Sequence, residues 1–132
     1  MIGLDTNVIV RYLAQDDPEQ SARATELIDG LTTADPGFVS LVAVVETYWV
    51  LRSAYGQSRP RCAELIDGLL DARELRVGSD TIVRAAAGAC RDDGADFADA
   101  VIAELGRVAG CEHTMTLDRR ASRGGRMRLV EA

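Results

Sequence analysis

Lysine is absent from this 132-residue chain, and all 15 basic residues are arginine. That absence removes chemistry requiring an ammonium group, including Schiff bases, the P-loop lysine and the lysines of receiver-type and haloacid-dehalogenase-type phosphoryl transfer. Histidine is nearly absent as well: with His113 alone, no site built on two imidazoles can form. The three cysteines, Cys62, Cys90 and Cys111, are odd in number and show no Cys-x-x-Cys spacing, so they read as free buried thiols. Long apolar runs are missing too. Stretches such as Leu41–Val45 fall far short of the ~18 residues of a membrane span. No basic segment precedes the first apolar stretch, which Asp5 interrupts, so neither a secretory signal nor a membrane is expected, and the cytoplasm is the expected compartment.

What remains is ordinary globular material, 47% hydrophobic and 27% charged. The length suits one domain over residues 1–132, large enough to bury a core without a disulfide or zinc staple. The net charge of −6 hides an asymmetry: residues 1–118 carry −10 and residues 119–132 carry +4, through Arg119, Arg120, Arg123, Arg126 and Arg128 against Glu131. A basic segment on an acidic body can bind an anionic polymer locally, but on charge alone a solvated tail is the plainer reading.

Strands and helices alternate along the chain. Met1–Leu4 reads as a buried strand ending on Asp5, and Val8, Ile9, Tyr12 and Leu13 then recur at helical spacing. Asp17-Pro18-Glu19-Gln20 is a helix start with an N-cap, a proline at the first position and a capping-box glutamine. Phe38-Val39 is a brief strand, and Ser40 caps a helix over Leu41–Ser53. Ser58 or Arg59 with Pro60 opens the next helix, Leu75–Val77 is a strand, and Ser79-Asp80 caps a helix over Thr81–Arg91. Asp96 opens a helix over Phe97–Ala109, with strands expected at His113–Leu117 and Met127–Val130. This order predicts one α/β sandwich with a parallel sheet and helices on both faces.

Ligands of such sheets bind where the strands end at their carboxyl termini. Asp5 and Asp118 each follow a strand, so both fall at that edge. Glu46 is the single charge between Phe38 and Leu51, either half-buried or on a narrow wet stripe. Asp96 and Asp99 sit at a helix N-terminus, where an N-cap aspartate with a second acid three residues on is also a capping-box variant needing no function. Taken together, Asp5, Glu46, Asp96, Asp99 and Asp118 would gather at one edge with no lysine or second histidine to neutralise them. Two unit charges ~4 Å apart repel by ~4 kcal/mol at an effective dielectric of ~20, so a bound cation is expected. Oxygen ligands alone suit Mg²⁺ or Mn²⁺, and carboxylate-held Mg²⁺ points to phosphate-ester chemistry.

These motifs resemble the PIN-domain ribonucleases, most closely the VapC-type toxins of bacterial toxin–antitoxin pairs, over the whole chain. Leu4-Asp5-Thr6-Asn7 is similar to the family's opening motif, which makes Asp5 a metal ligand supported by Thr6 and Asn7. Glu46 falls at the family's helical glutamate, after Ser40. Asp96-Phe97-Ala98-Asp99-Ala100 is similar to its most specific stretch, with Asp99 the ligand and Asp96 an adjacent acid. Thr116-Leu117-Asp118 matches the fourth segment, where Thr116 supports and Asp118 completes the site. The resemblance implies a three-layer α/β/α sandwich with a short, mostly parallel sheet. It further implies an Mg²⁺- or Mn²⁺-dependent endoribonuclease cleaving single-stranded or loop RNA with ion-activated water, a homodimer, and a cognate antitoxin that blocks the acidic pocket. On that reading Asp5, Glu46, Asp99 and Asp118 are catalytic, and Arg119 or Arg120 holds flanking phosphates. Without a histidine pair, metal-free cleavage through the 2′-hydroxyl is disfavoured.

Three other readings stand beside it: a housekeeping PIN-type nuclease without a toxin role, a non-catalytic acidic binding module, and a cysteine hydrolase using Cys111 and His113. The last lacks a group to orient the imidazole. The binding module does not explain why five acids would meet without cationic neighbours. Tyr48 and Trp49 can stack bases, although on so apolar a helix the commoner role is core, and Tyr12 and Tyr55 are equally ambiguous. Val8, Ile9 and Leu13 suit either a dimer face or the core.

Overall fold

The first strand, β1 (Ile2–Gly3), runs into α1 (Thr6–Ala14) and α2 (Pro18–Asp29), and β2 (Gly37–Val39) then leads to α3 (Leu41–Ser53) and α4 (Arg59–Asp71). After β3 (Leu75–Val77) come α5 (Asp80–Asp93), α6 (Phe97–Val108), β4 (Thr114–Thr116), the single turn α7 (Arg119–Ser122) and β5 (Met127–Leu129). The structure, a computed structural model, describes residues 1–131. It is the mixed α/β, three-layer arrangement expected, with helices flanking short parallel strands.

The parallel strands form two hydrogen-bonded groups, a three-stranded sheet β1–β2–β3 and the pair β4–β5. The expectation of a buried first strand needs correction. Ile2 and Gly3 are exposed, because β1 is the edge of its ladder, and only Leu4 turns into the core. On the helical side α4 packs on α5 and α5 on α6, while α1 packs on α2 and α3. Val39, Val44, Ile66, Val83 and Phe97 are wholly buried among them. Ile9 joins this core, and Val8 and Leu13, partly buried, pack against it.

Most helix starts follow local capping. Asp17 accepts from the Gln20 N–H at 3.0 Å, Ser40 from Ala43 at 3.1 Å, and Ser58 from Arg61 at 3.2 Å. The Ser79 cap does not form: Ser79 lies in the left-handed region at φ 54°, its side chain makes no capping bond, and α5 begins at Asp80. Gly94 closes α5 with φ 68°, a conformation open to glycine, and turns the chain toward α6. The basic segment is no solvated tail. Asp118 caps α7, β5 pairs with β4, Met127 is buried, and Arg126 pairs with Asp93 at 2.5 Å. Cys62 and Cys90 are buried as expected, but Cys111 is exposed, since it lies with His113 in the loop before β4 rather than on a strand.

Candidate active site

Asp5 is the N-cap of α1, yet its carboxylate makes no capping bond and is exposed to solvent. The next residue, Thr6, is buried, and its hydroxyl donates to Glu46 Oε2 at 3.2 Å. The start of α1 thus meets the middle of α3, where Glu46 is exposed on the wet side of an otherwise apolar helix. Ser40 sets that helix's first turn and so its direction. Asn7 does not join the acids: it lines a groove between α1 and α2 with Arg11 and Arg23.

A second group of acids forms where α6 begins. Asp96 accepts from the Asp99 N–H at 3.1 Å, so it does cap the helix, and this bond holds the first turn with Asp99 beside it. Asp118, at the end of β4, accepts from the Arg120 N–H at 2.8 Å, and its own N–H donates to Thr116 Oγ1 at 3.0 Å. Thr116 therefore supports Asp118 through the backbone. The Asp99 carboxyl is held above the usual carboxylate range, first by burial and then by the charges of Asp96 and Asp118, with Arg59 opposing the shift. Asp96, Asp99 and Asp118 line one cavity of about 520 Å³.

An adjoining cavity of about 280 Å³ contains Glu46, Trp49 and Arg52, and shares Asp96 and Arg59 with the first. Glu46 thereby reaches the α6 acids, while Asp5 lines neither cavity. Of the five expected acids, Asp96, Asp99 and Asp118 share one cavity, Glu46 shares the second with Asp96, and Asp5 adjoins only through Thr6, which bonds Glu46. Among the described residues, no three acidic, histidine or cysteine side chains stand close enough together to enclose one ion.

The expectation of an acidic edge without cations is wrong, because Arg59, Arg120, Arg123 and Arg126 line the larger cavity. Arg120 was anticipated as a phosphate contact, and Arg119 lies outside both cavities. Arg123 and Arg126 belong to the basic segment, which charge alone does not distinguish from a solvated tail. Arg59 was legible only as a helix-start residue; packing of the α4 N-terminus on the α5–α6 turn brings it in, with Nη1 donating to the Gly94 carbonyl at 2.6 Å. Even so, no ion pair joins an arginine to Asp5, Glu46, Asp96, Asp99 or Asp118 among the described residues.

Tyr48 and Trp49 part company. The Tyr48 ring is buried and stacks on Phe97, centroids 4.8 Å apart, whereas Trp49 is 67% exposed. Tyr12 packs against the core, and Tyr55 donates its hydroxyl to Asp16 at 2.8 Å, away from the site.

The site thus gathers carboxylates that pair with no arginine, at a helix start and after a parallel strand of an α/β sandwich. Residues 2–126 match the PIN domain family, and the chain belongs to it. PIN domains are in general nucleases that use divalent metal ions. No curated protein matches the chain. No helix among the described residues is long and apolar enough to cross a membrane.

Proposed function

We propose that this PIN-domain protein is an Mg²⁺- or Mn²⁺-dependent endoribonuclease that cuts unpaired RNA and serves as the toxin of a toxin–antitoxin pair, as a homodimer in the cytoplasm. The carrying observation is Asp99, whose carboxyl is pushed up by burial and by Asp96 and Asp118 while no guanidinium pairs with it. A site that concentrates carboxylate charge in this way is relieved by a divalent cation, and a donor set made only of oxygens fits Mg²⁺ or Mn²⁺.

Asp99, Asp96 and Asp118 would hold the ion, with Glu46 and Asp5 contributing from the adjoining side. Bound there, it would polarise a phosphoryl oxygen and lower the pKa of water. The chain's own residues have separable tasks. Thr6 fixes one Glu46 oxygen by hydrogen bonding. The Asp96 capping bond holds the turn that carries Asp99. Arg120 and Arg123, lining the same cavity, engage phosphates flanking the scissile one. A recessed cavity of this kind favours RNA whose backbone is not confined to a duplex.

The test is cleavage of a single-stranded RNA by purified protein with Mn²⁺, with Mg²⁺, and in excess EDTA. Cleavage that needs either ion is expected, and full activity in EDTA would overturn the metal assignment. The toxin role is checked separately by growth arrest on expression, relieved by co-expression of a neighbouring small open reading frame. Cleavage without growth arrest would favour a housekeeping nuclease. Mn²⁺ binding without cleavage would favour an acidic binding module.

A further inference from the structure

Trp49 is the only tryptophan in the chain, and it stands 67% exposed on α3 next to the buried Tyr48. Aromatic surface left in water forgoes the gain of burial, and a ring of this size offers a stacking face. Val45, Trp49 and Arg52 recur at helical spacing on one face of α3 and line the smaller cavity with Glu46. Arg59 and Asp96 close its far side and belong equally to the acidic cavity. Two guanidiniums in this cavity have no carboxylate partner within 4.0 Å among the described residues, and each is anchored to backbone. Arg52 Nη1 donates to the Gln57 carbonyl at 2.9 Å, and Arg59 Nη1 to that of Gly94 at 2.6 Å.

We propose that Trp49, Arg52 and Arg59 form a subsite for one unpaired nucleotide of the substrate RNA, with its base stacked on the indole and its phosphate met by the guanidiniums. This rests on the nuclease reading and gives it a substrate feature. An indole face accepts any base, since every base has a π-face, whereas a paired base would have to be splayed out of its stack to reach it. Glu46 and Asp96 balance these two arginines in number, but neither guanidinium pairs with a carboxylate, so both are available to a phosphate, whereas an apolar protein surface would leave them unpaired. Because Asp96 and Arg59 belong to both cavities, a nucleotide seated on Trp49 has its sugar–phosphate chain directed toward Asp99. Trp49 is a positioning residue, not a catalytic one.

A sole tryptophan makes the test direct. Titrating the protein in Ca²⁺ with an unpaired oligoadenylate should quench Trp49 fluorescence, and a duplex of the same length should quench it far less. In cleavage assays Trp49→Ala should raise KM for single-stranded RNA roughly 5- to 100-fold, the range of one lost base stack, with the loss falling on KM rather than kcat. Trp49→Phe should recover most of it. A protein that cleaves RNA while its fluorescence ignores the oligonucleotide overturns the subsite and leaves the nuclease reading standing. Quenching without any cleavage keeps the subsite and removes the nuclease reading. Fluorescence that changes with protein concentration alone assigns Trp49 to contact with a second copy and overturns the proposal.

Discussion

Two populations of acids share this small surface, and the fold treats them differently. On the outer faces of α2, α4 and α5, acids sit against arginines: Glu19 with Arg23 at 2.6 Å, Glu64 with Arg61 at 3.1 Å, Asp71 with Arg84 at 3.2 Å, and Asp67 with Arg91. At the strand ends, Asp96, Asp99 and Asp118 line a cavity that contains arginines and pair with none of them, and Glu46 takes a threonine hydroxyl instead. Two of these pairs lie within one helix turn and two join α4 to α5, and most of their side chains are well exposed. In the cavity, Asp118 is brought to the Asp96–Asp99 turn across sequence, and burial together with the charges of Asp96 and Asp118 raises the proton affinity of Asp99. Charge left uncompensated in the folded state lowers stability, and such a cost is characteristic of sites selected for binding.

The sharpest way to break the contrast is to remove the charge most strongly perturbed. Asp99→Asn should lower RNA cleavage at least ~10³-fold, as for a principal transition-state charge contact, while raising the stability of the metal-free protein by about 0.5–2 kcal/mol in urea unfolding. The sign follows from linkage. A carboxyl with a raised folded pKa binds its proton more tightly in the native state, so its favourable contribution is present at low pH and is lost as pH rises through the folded value. At neutral pH the wild-type aspartate is then a liability that asparagine removes. Loss of both activity and stability in this variant would make Asp99 a structural residue.

A smaller effect is expected one step away. Thr6→Val keeps the buried shape but leaves the Glu46 oxygen without its donor, and should weaken Mn²⁺ activation about 10- to 100-fold, the usual range for an outer-shell partner. Thr6→Ser should restore it. Smaller again, Arg120→Ala and Arg123→Ala should each reduce the log–log salt dependence of RNA binding by about 0.7, the increment for one phosphate contact on a single strand. An unchanged slope would place these guanidiniums off the RNA path.

Much of this was legible in the residues because capping is local. Asp17, Ser40, Ser58 and Asp96 each announce a helix within four residues, and each forms the bond expected. The order of motifs likewise marked the acids that the fold places at the α6 start and after β4. What escaped depends on packing. The exposed β1 reflects its edge position, and the folding of the basic segment depends on β5 finding β4. Helix α3 is apolar nearly all round, so no stripe distinguished the buried side carrying Tyr48 from the open side carrying Trp49. Arg59 became a site residue only when the start of α4 met the turn before α6.

The smallest effect tests the other half of the contrast. Glu19 and Arg23 lie one turn apart on α2, 75% exposed on both sides. In water such a pair gains little, because the solvent screens the attraction and ordering two long side chains costs entropy. Glu19→Ala should therefore change the unfolding free energy by no more than about 0.3–0.5 kcal/mol and leave the metal and salt dependence of cleavage as they were. A larger loss would mean that exposed pairing contributes to holding α2 against α1. The acids would then differ in degree rather than kind, and the unpaired state of Asp96, Asp99 and Asp118 would lose its force as a mark of function.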